Sequence, residues 1–206
     1  MPVGSDLRLR YVAVACALLP LLGVHLAAVL AIDAGHLPAC IPYLPDCYSI
    51  SATGRQAPER WMFRGTMIPA ALLAMLLWWR LPYIWRGLRW GSTVRWLGLI
   101  AGVSLIAYTL ALGVDGESYR VVRRTGVMLW FALTFFNQLL VSVSGLSATN
   151  DRWLRGGVVT LLGLGLLSVA LAYLLPNWYN TVDNAFEWSF AALLMFNFLR
   201  IAKMLS

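Results

Sequence analysis

Charge is what this chain has least of. Only 12% of its 206 residues are Asp, Glu, Lys or Arg, about half the share carried by an ordinary soluble domain. With 60% of residues hydrophobic and a mean hydropathy of +0.72, a surface wetted on every side cannot be built from this inventory. Lysine is nearly missing: 15 of the 16 basic residues are Arg, and Lys203 stands alone. No lysine lies in the middle of an apolar run, which excludes a retinal Schiff base. Two His without a ligand spacing give no metal site, and three Cys are too few for a disulfide-dense scaffold. No Walker loop, zinc-protease motif or Ser nucleophile elbow is present, so no cofactor is expected. The net charge of +7 does not signal nucleic acid. The basic residues stand at the ends of apolar runs rather than in a patch interleaved with aromatics.

What the chain does have is long apolar runs. A membrane-spanning helix needs about 20 predominantly apolar residues, and six such runs occupy roughly 11–32, 61–79, 94–114, 125–147, 156–175 and 185–205. They use nearly the whole chain, so residues 1–206 read as one all-α, polytopic membrane domain of six transmembrane helices. The first run has the basic start of a signal peptide in Arg8 and Arg10. It is longer than the usual ~7–15-residue apolar core and lacks a small-residue cleavage site, which predicts a retained span. No internal repeat or long linker interrupts the pattern.

Orientation is read from the basic residues. Arg8, Arg10, Arg80, Arg86, Arg89, Arg95, Arg152, Arg155, Arg200 and Lys203 fall on one side, and Arg55, Arg60, Arg64, Arg120, Arg123 and Arg124 on the other. The richer side is expected to be cytoplasmic, with both termini there. Acidic residues distribute the opposite way: Asp33, Asp46, Glu59, Asp115, Glu117, Asp183 and Glu187 are outer, while Asp6 and Asp151 are inner. The outer face is therefore dense in both signs. Its six Arg exceed what topology favours, which predicts that they have partners or ligands.

Several features read as architecture. Trp78, Trp79, Trp85, Trp90 and Trp96 cluster around one cytoplasmic loop, as interface anchors do. Gly98 and Gly102 form a GxxxG spacing, which glycine's abundance in membrane helices produces by chance. Asn137 and Gln138, near the middle of the fourth span, read as amides that glue helices together.

Two outer stretches carry chemistry. In the segment Tyr48 to Arg64, Pro58 suits a first helical turn, Glu59 complements the positive helix terminus, and Arg60 and Arg64 share a helix face. Two guanidinium groups at headgroup level form a candidate phosphate clamp; the plainer reading has Arg64 reaching to the interface and Arg60 pairing with Glu59. In the segment Asn177 to Trp188, Asp183 and Glu187 are also four apart. Glu187 needs a partner below the helix end, either as an acid–base group or as half of an interhelix ion pair. His25 lies about 12 Å below the outer end of the first span. It reads either as a proton-carrying group or as a hydrogen-bonded bundle residue. Cys40 and Cys47 share an outer loop; they pair if that loop faces an oxidising compartment and otherwise remain two thiols.

The Ser51-Ala-Thr-Gly54 turn, Pro58-Glu59-Arg60, Phe63-Arg64 and the closing Asn177 and Glu187-Trp188 together resemble the Frag/DRAM/Sfk family of six-helix membrane proteins. That family includes proteins that remodel the lipid of GPI anchors. The resemblance covers most of the chain and departs at Pro176, where that family commonly has a His ahead of the Asn. It implies recognition or modification of a lipid at the non-cytoplasmic leaflet, with a membrane lipid as the partner. On this reading Glu59, Arg60, Arg64, Arg124 and Asn177 bind the headgroup, while Glu187, Asp183 and His25 are the catalytic candidates for acyl-chain remodelling by transfer or hydrolysis. A non-catalytic lipid-binding scaffold is the alternative, and a transporter the third.

Overall fold

The computed structural model describes residues 6–85, 88–144 and 151–205. Among these the chain forms six long helices, α1 (Leu7–Asp33), α2 (Glu59–Ile84), α3 (Gly91–Ala111), α4 (Glu117–Val143), α5 (Arg152–Leu174) and α6 (Pro176–Met204), and no strand. A short 3₁₀ turn, Ile50–Gly54, sits in the connection between α1 and α2. All six helices are long and apolar enough to cross a bilayer. Hydrocarbon offers no partners to backbone N–H and C=O groups, so a chain of this composition must satisfy them within each helix. The protein is a multi-pass, all-α integral membrane bundle.

The helices outrun the apolar runs that announce them. α6 begins at Pro176 rather than near Ala185, because Pro suits the first helical position, where no N–H is needed. α4 begins at Glu117, with an acidic first turn that complements the helix terminus. α2 continues through Pro82 to Ile84 because Trp78, Leu81 and Trp85 extend its buried face. Hydropathy marks the part of a helix that lies in lipid, not the polar turns that continue beyond it. Arg86 and the expected end of the fourth span at 145–147 lie outside the described residues.

The helices pack in chain order, and α6 closes back onto α1. Consecutive helices run antiparallel, so the two chain ends share a terminal face and the α1–α2 connection caps the opposite, or site, face. The α2–α3 contact rests on Gly98 and Gly102: a Cβ on Gly98 would strike the Trp78 side chain, and one on Gly102 would strike Met75 and the Ala71 carbonyl. The GxxxG spacing therefore has a structural cause, close approach of two backbones. The tryptophans divide as well. Trp79, Trp90 and Trp96 are exposed and free to anchor at the interface, whereas Trp78 and Trp85 are fully buried in the core.

On the terminal face one side chain organises two helices. Asp151 Oδ1 caps α5 by accepting from the Trp153 and Leu154 N–H groups at 2.8 and 3.1 Å. Its Oδ2 accepts from Arg200 Nη2 at 2.6 Å, which fixes the end of α6. Deeper in the bundle, Gln138 Nε2 donates to the Leu194 carbonyl at 3.0 Å, and Asn197 Nδ2 donates to Gln138 Oε1 at 2.8 Å. These amides hold α4 to α6, the gluing role that such residues take in lipid.

Candidate functional site

The connection between α1 and α2 is pinned onto α6. The Asp46 N–H donates to the Thr181 carbonyl at 2.7 Å. Asn184 Nδ2 donates to the Cys47 carbonyl at 2.8 Å, and Trp188 Nε1 donates to the Tyr48 carbonyl at 2.9 Å. Cys40 and Cys47 are joined in a disulfide that closes this loop. At its tip, burial pushes the Tyr43 phenol above its ordinary range. The hydroxyl stays protonated and donates to His25 Nε2 at 3.1 Å. His25 Nδ1 donates to the Leu21 carbonyl at 2.7 Å, so both ring nitrogens are engaged. Trp188 packs edge-on against His25, with ring centroids 5.0 Å apart.

The arginines expected to form a phosphate clamp are largely committed to backbone. Arg60 donates to the Arg55 carbonyl through Nε at 2.9 Å and also through Nη2. Arg64 Nη2 donates to the Leu110 and Leu112 carbonyls at 2.9 and 3.2 Å, with its guanidinium over the Trp61 ring. From the other side Arg123 Nη1 donates to the Ala111 and Val114 carbonyls at 3.2 and 2.6 Å. Arginines from α2 and α4 thus cap the exposed carbonyls at the end of α3, where positive charge is favoured. Glu59 is fully buried, and its Oε1 accepts from His36 Nδ1 at 2.9 Å. Its partner is this imidazole rather than Arg60. Asn177 lies in the exposed first turn of α6, about 15 Å along the axis from Glu187, so the two do not meet.

What the structure does assemble is a set of voids around Glu187. A groove of about 720 Å³ runs between α4, α5 and α6. Its walls are apolar, from Phe131, Phe135, Leu162 and Leu166 among others, while Asp183 and Glu187 sit at its polar end. The four-residue spacing puts both carboxylates on this one face of α6. Phe136, Leu162 and Leu166 at the mouth are exposed on the bundle's flank, so the groove opens sideways between α4 and α5. Above it a vestibule of about 440 Å³ is lined by Arg55, Arg120, Arg123, Arg124 and Glu187. Arg120 also pairs with Glu117. Glu187 shares the vestibule wall with Arg55 and the groove wall with Asp183.

Arg124, Asp183 and Glu187, all named from the sequence, are therefore brought into one neighbourhood. His25 lines a third, smaller cavity behind Glu187. Arg55 and Tyr108 were not singled out by sequence reasoning. The signal for Tyr108 was faint, a polar aromatic within an apolar run; Arg55 was visible only as one outer Arg among six. No group of three or more His, Cys, Asp or Glu side chains able to hold a metal ion occurs among the described residues. Comparison with known proteins finds no matching family, no matching curated protein and no matching solved structure.

Proposed function

We propose that this protein recognises a phosphate-bearing lipid in the non-cytoplasmic leaflet and remodels its acyl chains. The observation that carries the reading is that the Arg-lined vestibule and the apolar groove share Glu187 in their walls. An amphiphile with an anionic head and hydrocarbon tails matches that sequence of surfaces, since guanidinium groups bind oxyanions in paired hydrogen bonds. The anion is held by Arg55 and Arg124 with support from Arg120 and Arg123. Arg64 shapes the rim by fixing the end of α3, and Arg60 by holding the Arg55 carbonyl. Glu187, beside Asp183, is the acid–base group. The terminal face, with its excess of Arg and Lys203, is cytoplasmic, which directs the vestibule outward. The resemblance to the Frag/DRAM/Sfk family supports the same class of activity. Pro176 stands where that family commonly has a His, so a reaction here would need another acid–base group, the place we give to Glu187.

A protein that binds lipid without turning it over would use the same two voids, so the test must separate binding from reaction. Purified protein is extracted under mild conditions and its bound lipid measured by native mass spectrometry. The Arg55→Gln/Arg124→Gln variant is expected to lose at least about tenfold of bound phosphate-bearing lipid, the worth of one charge-assisted hydrogen bond or more. Equal occupancy in both proteins would remove the lipid site. Membrane lipid profiles from cells with wild-type, deleted and Glu187→Gln protein then address the reaction. A class whose acyl composition changes on deletion and is restored only by wild type supports remodelling; unchanged profiles with bound lipid retained leave a binder.

A further inference from the structure

The third void adds what the other two lack. It is a cavity of about 50 Å³ between the helices, lined by Glu187, Tyr108, His25, Trp130, Phe63 and Met195 among others. A water molecule requires about 10–15 Å³ and two or more polar partners; the space has room for a few waters, and on its mostly apolar wall the Tyr108 hydroxyl and the Glu187 carboxylate are the polar groups that could hold one. Tyr108 is 3% exposed, and its hydroxyl has no hydrogen-bond partner among the described residues. Its ring packs edge-on against Phe63, with centroids 6.2 Å apart, and Gly126 lets α4 close against the α3 backbone at Ser104 and Tyr108. Tyr108 also lines the vestibule, as Glu187 does. Glu187 is the residue common to groove, vestibule and cavity.

Resting on the lipid-site reading, we infer that the reaction is hydrolysis of an acyl ester, with the cavity between Tyr108 and Glu187 supplying the water. With the head in the vestibule and a chain in the groove, the ester linking them falls beside Glu187, and the cavity lies on the carboxylate's other side. Water oxygen adds to the ester carbonyl carbon while its proton passes to the Glu187 carboxylate. The acyl C–O bond then breaks, and that proton goes to the departing alkoxide. The products are a free fatty acid and a lyso-lipid, and no further reactant is needed. Transfer to a second lipid would require that acceptor's hydroxyl at the same place, where the remaining space is water-sized. Glu187 is the general base, a role worth about 10²–10⁴ in rate. Tyr108 is a positioning residue whose hydroxyl holds the water.

The test uses the full chain in nanodiscs of total membrane lipid from its source cell, supplemented with phosphatidylglycerol and suspended in heavy-oxygen water. Hydrolysis places one heavy oxygen in the carboxyl group of each released fatty acid, with a matching amount of lyso-lipid. Glu187→Gln lowers this release about 100-fold or more, with bound lipid retained. Tyr108→Phe keeps the ring and its packing; it lowers kcat about tenfold and leaves KM and melting temperature in place, a split that a purely structural role would not produce. Acyl chains reappearing on other lipids without heavy oxygen would overturn hydrolysis in favour of transfer. Bound lipid with neither fatty acid nor lyso-lipid would overturn the reaction and leave the lipid site standing. Absence of bound lipid in the wild-type protein would overturn both.

Discussion

In α3, 50% of the most apolar stretch is buried inside the bundle, against 17% in α5, although α5 is the more hydropathic of the two. The contrast extends to their surroundings. α1, α2 and α3 meet through small residues, with Ala13, Ala17, Ala27 and Ala28 of α1 and Ala70, Ala71 and Ala74 of α2 all buried. α5 is tied to α6 at separated points, by the Ser168–Tyr179 hydroxyl pair at 2.8 Å and by Gly157 seated on Asn197. It contacts α4 only sparsely. In lipid, apolar surface gains nothing by leaving hydrocarbon for protein, so packing shape and polar contacts decide which helices adhere. One half of the molecule is a close-packed support, and the other half leaves room between its helices for the groove.

Substituting matched glycines on the two sides would sharpen this contrast most. Gly102→Leu drives a side chain into Met75 and the Ala71 carbonyl, and overpacking of this kind costs about 2–3 kcal/mol. Gly163→Leu in α5 meets nothing within 4 Å and is expected to change stability by less than about 0.5 kcal/mol. Thermal unfolding in one detergent measures both, and equal losses would mean that α5 is packed as tightly as α3.

A smaller effect probes the polar links of the looser half. Gln138→Leu removes the donor to the Leu194 carbonyl and the acceptor for Asn197. Interhelical hydrogen bonds of this sort contribute about 0.6 kcal/mol on average, with a maximum near 1.7. The expected result is a modest loss of stability, read by the same melts, with α4 and α6 less firmly joined. A variant as stable as wild type would show that packing alone holds them.

An effect of similar size is set by pH on the terminal face. Burial of the Asp151 carboxyl raises its pKa, but Arg200 and the two α5 N–H groups more than offset this, and the net shift is downward from 3.8. A carboxyl depressed on folding contributes stability that is present above its unfolded value and is lost as pH falls through the folded one. Wild type should therefore exceed Arg200→Gln by about 0.5–1 kcal/mol above pH 3.8, and the gap should close on further acidification. A gap independent of pH would assign Arg200 to packing instead.

Much of the fold was legible because lipid imposes helices on any chain this apolar. The runs at 11–32 and 156–175 announce α1 and α5 almost completely. The first turns of α4 and α6 were not legible, since Glu117 to Arg124 and Asn177 to Asp183 are polar and hydropathy passes over them. At the candidate site, the i,i+4 pair Asp183 and Glu187 could be read because a carboxylate at the border of an apolar run is conspicuous. The roles of Arg60 and Arg64 could not, because their partners are backbone carbonyls, of Arg55 for the one and at the end of α3 for the other, which no side-chain pattern reports. The groove and the Tyr108 cavity are shapes left between helices. Nothing in composition or periodicity marks an empty space.

The sideways mouth of the groove bears on how a ligand would arrive. A chain entering from water must first leave the bilayer, at a cost of about 0.8 kcal/mol for each CH₂ withdrawn. A chain sliding in past Phe136, Leu162 and Leu166 stays in a hydrocarbon environment throughout. For such a ligand, encounter would be a search in two dimensions, and occupancy would follow its mole fraction in the bilayer rather than any concentration in solution.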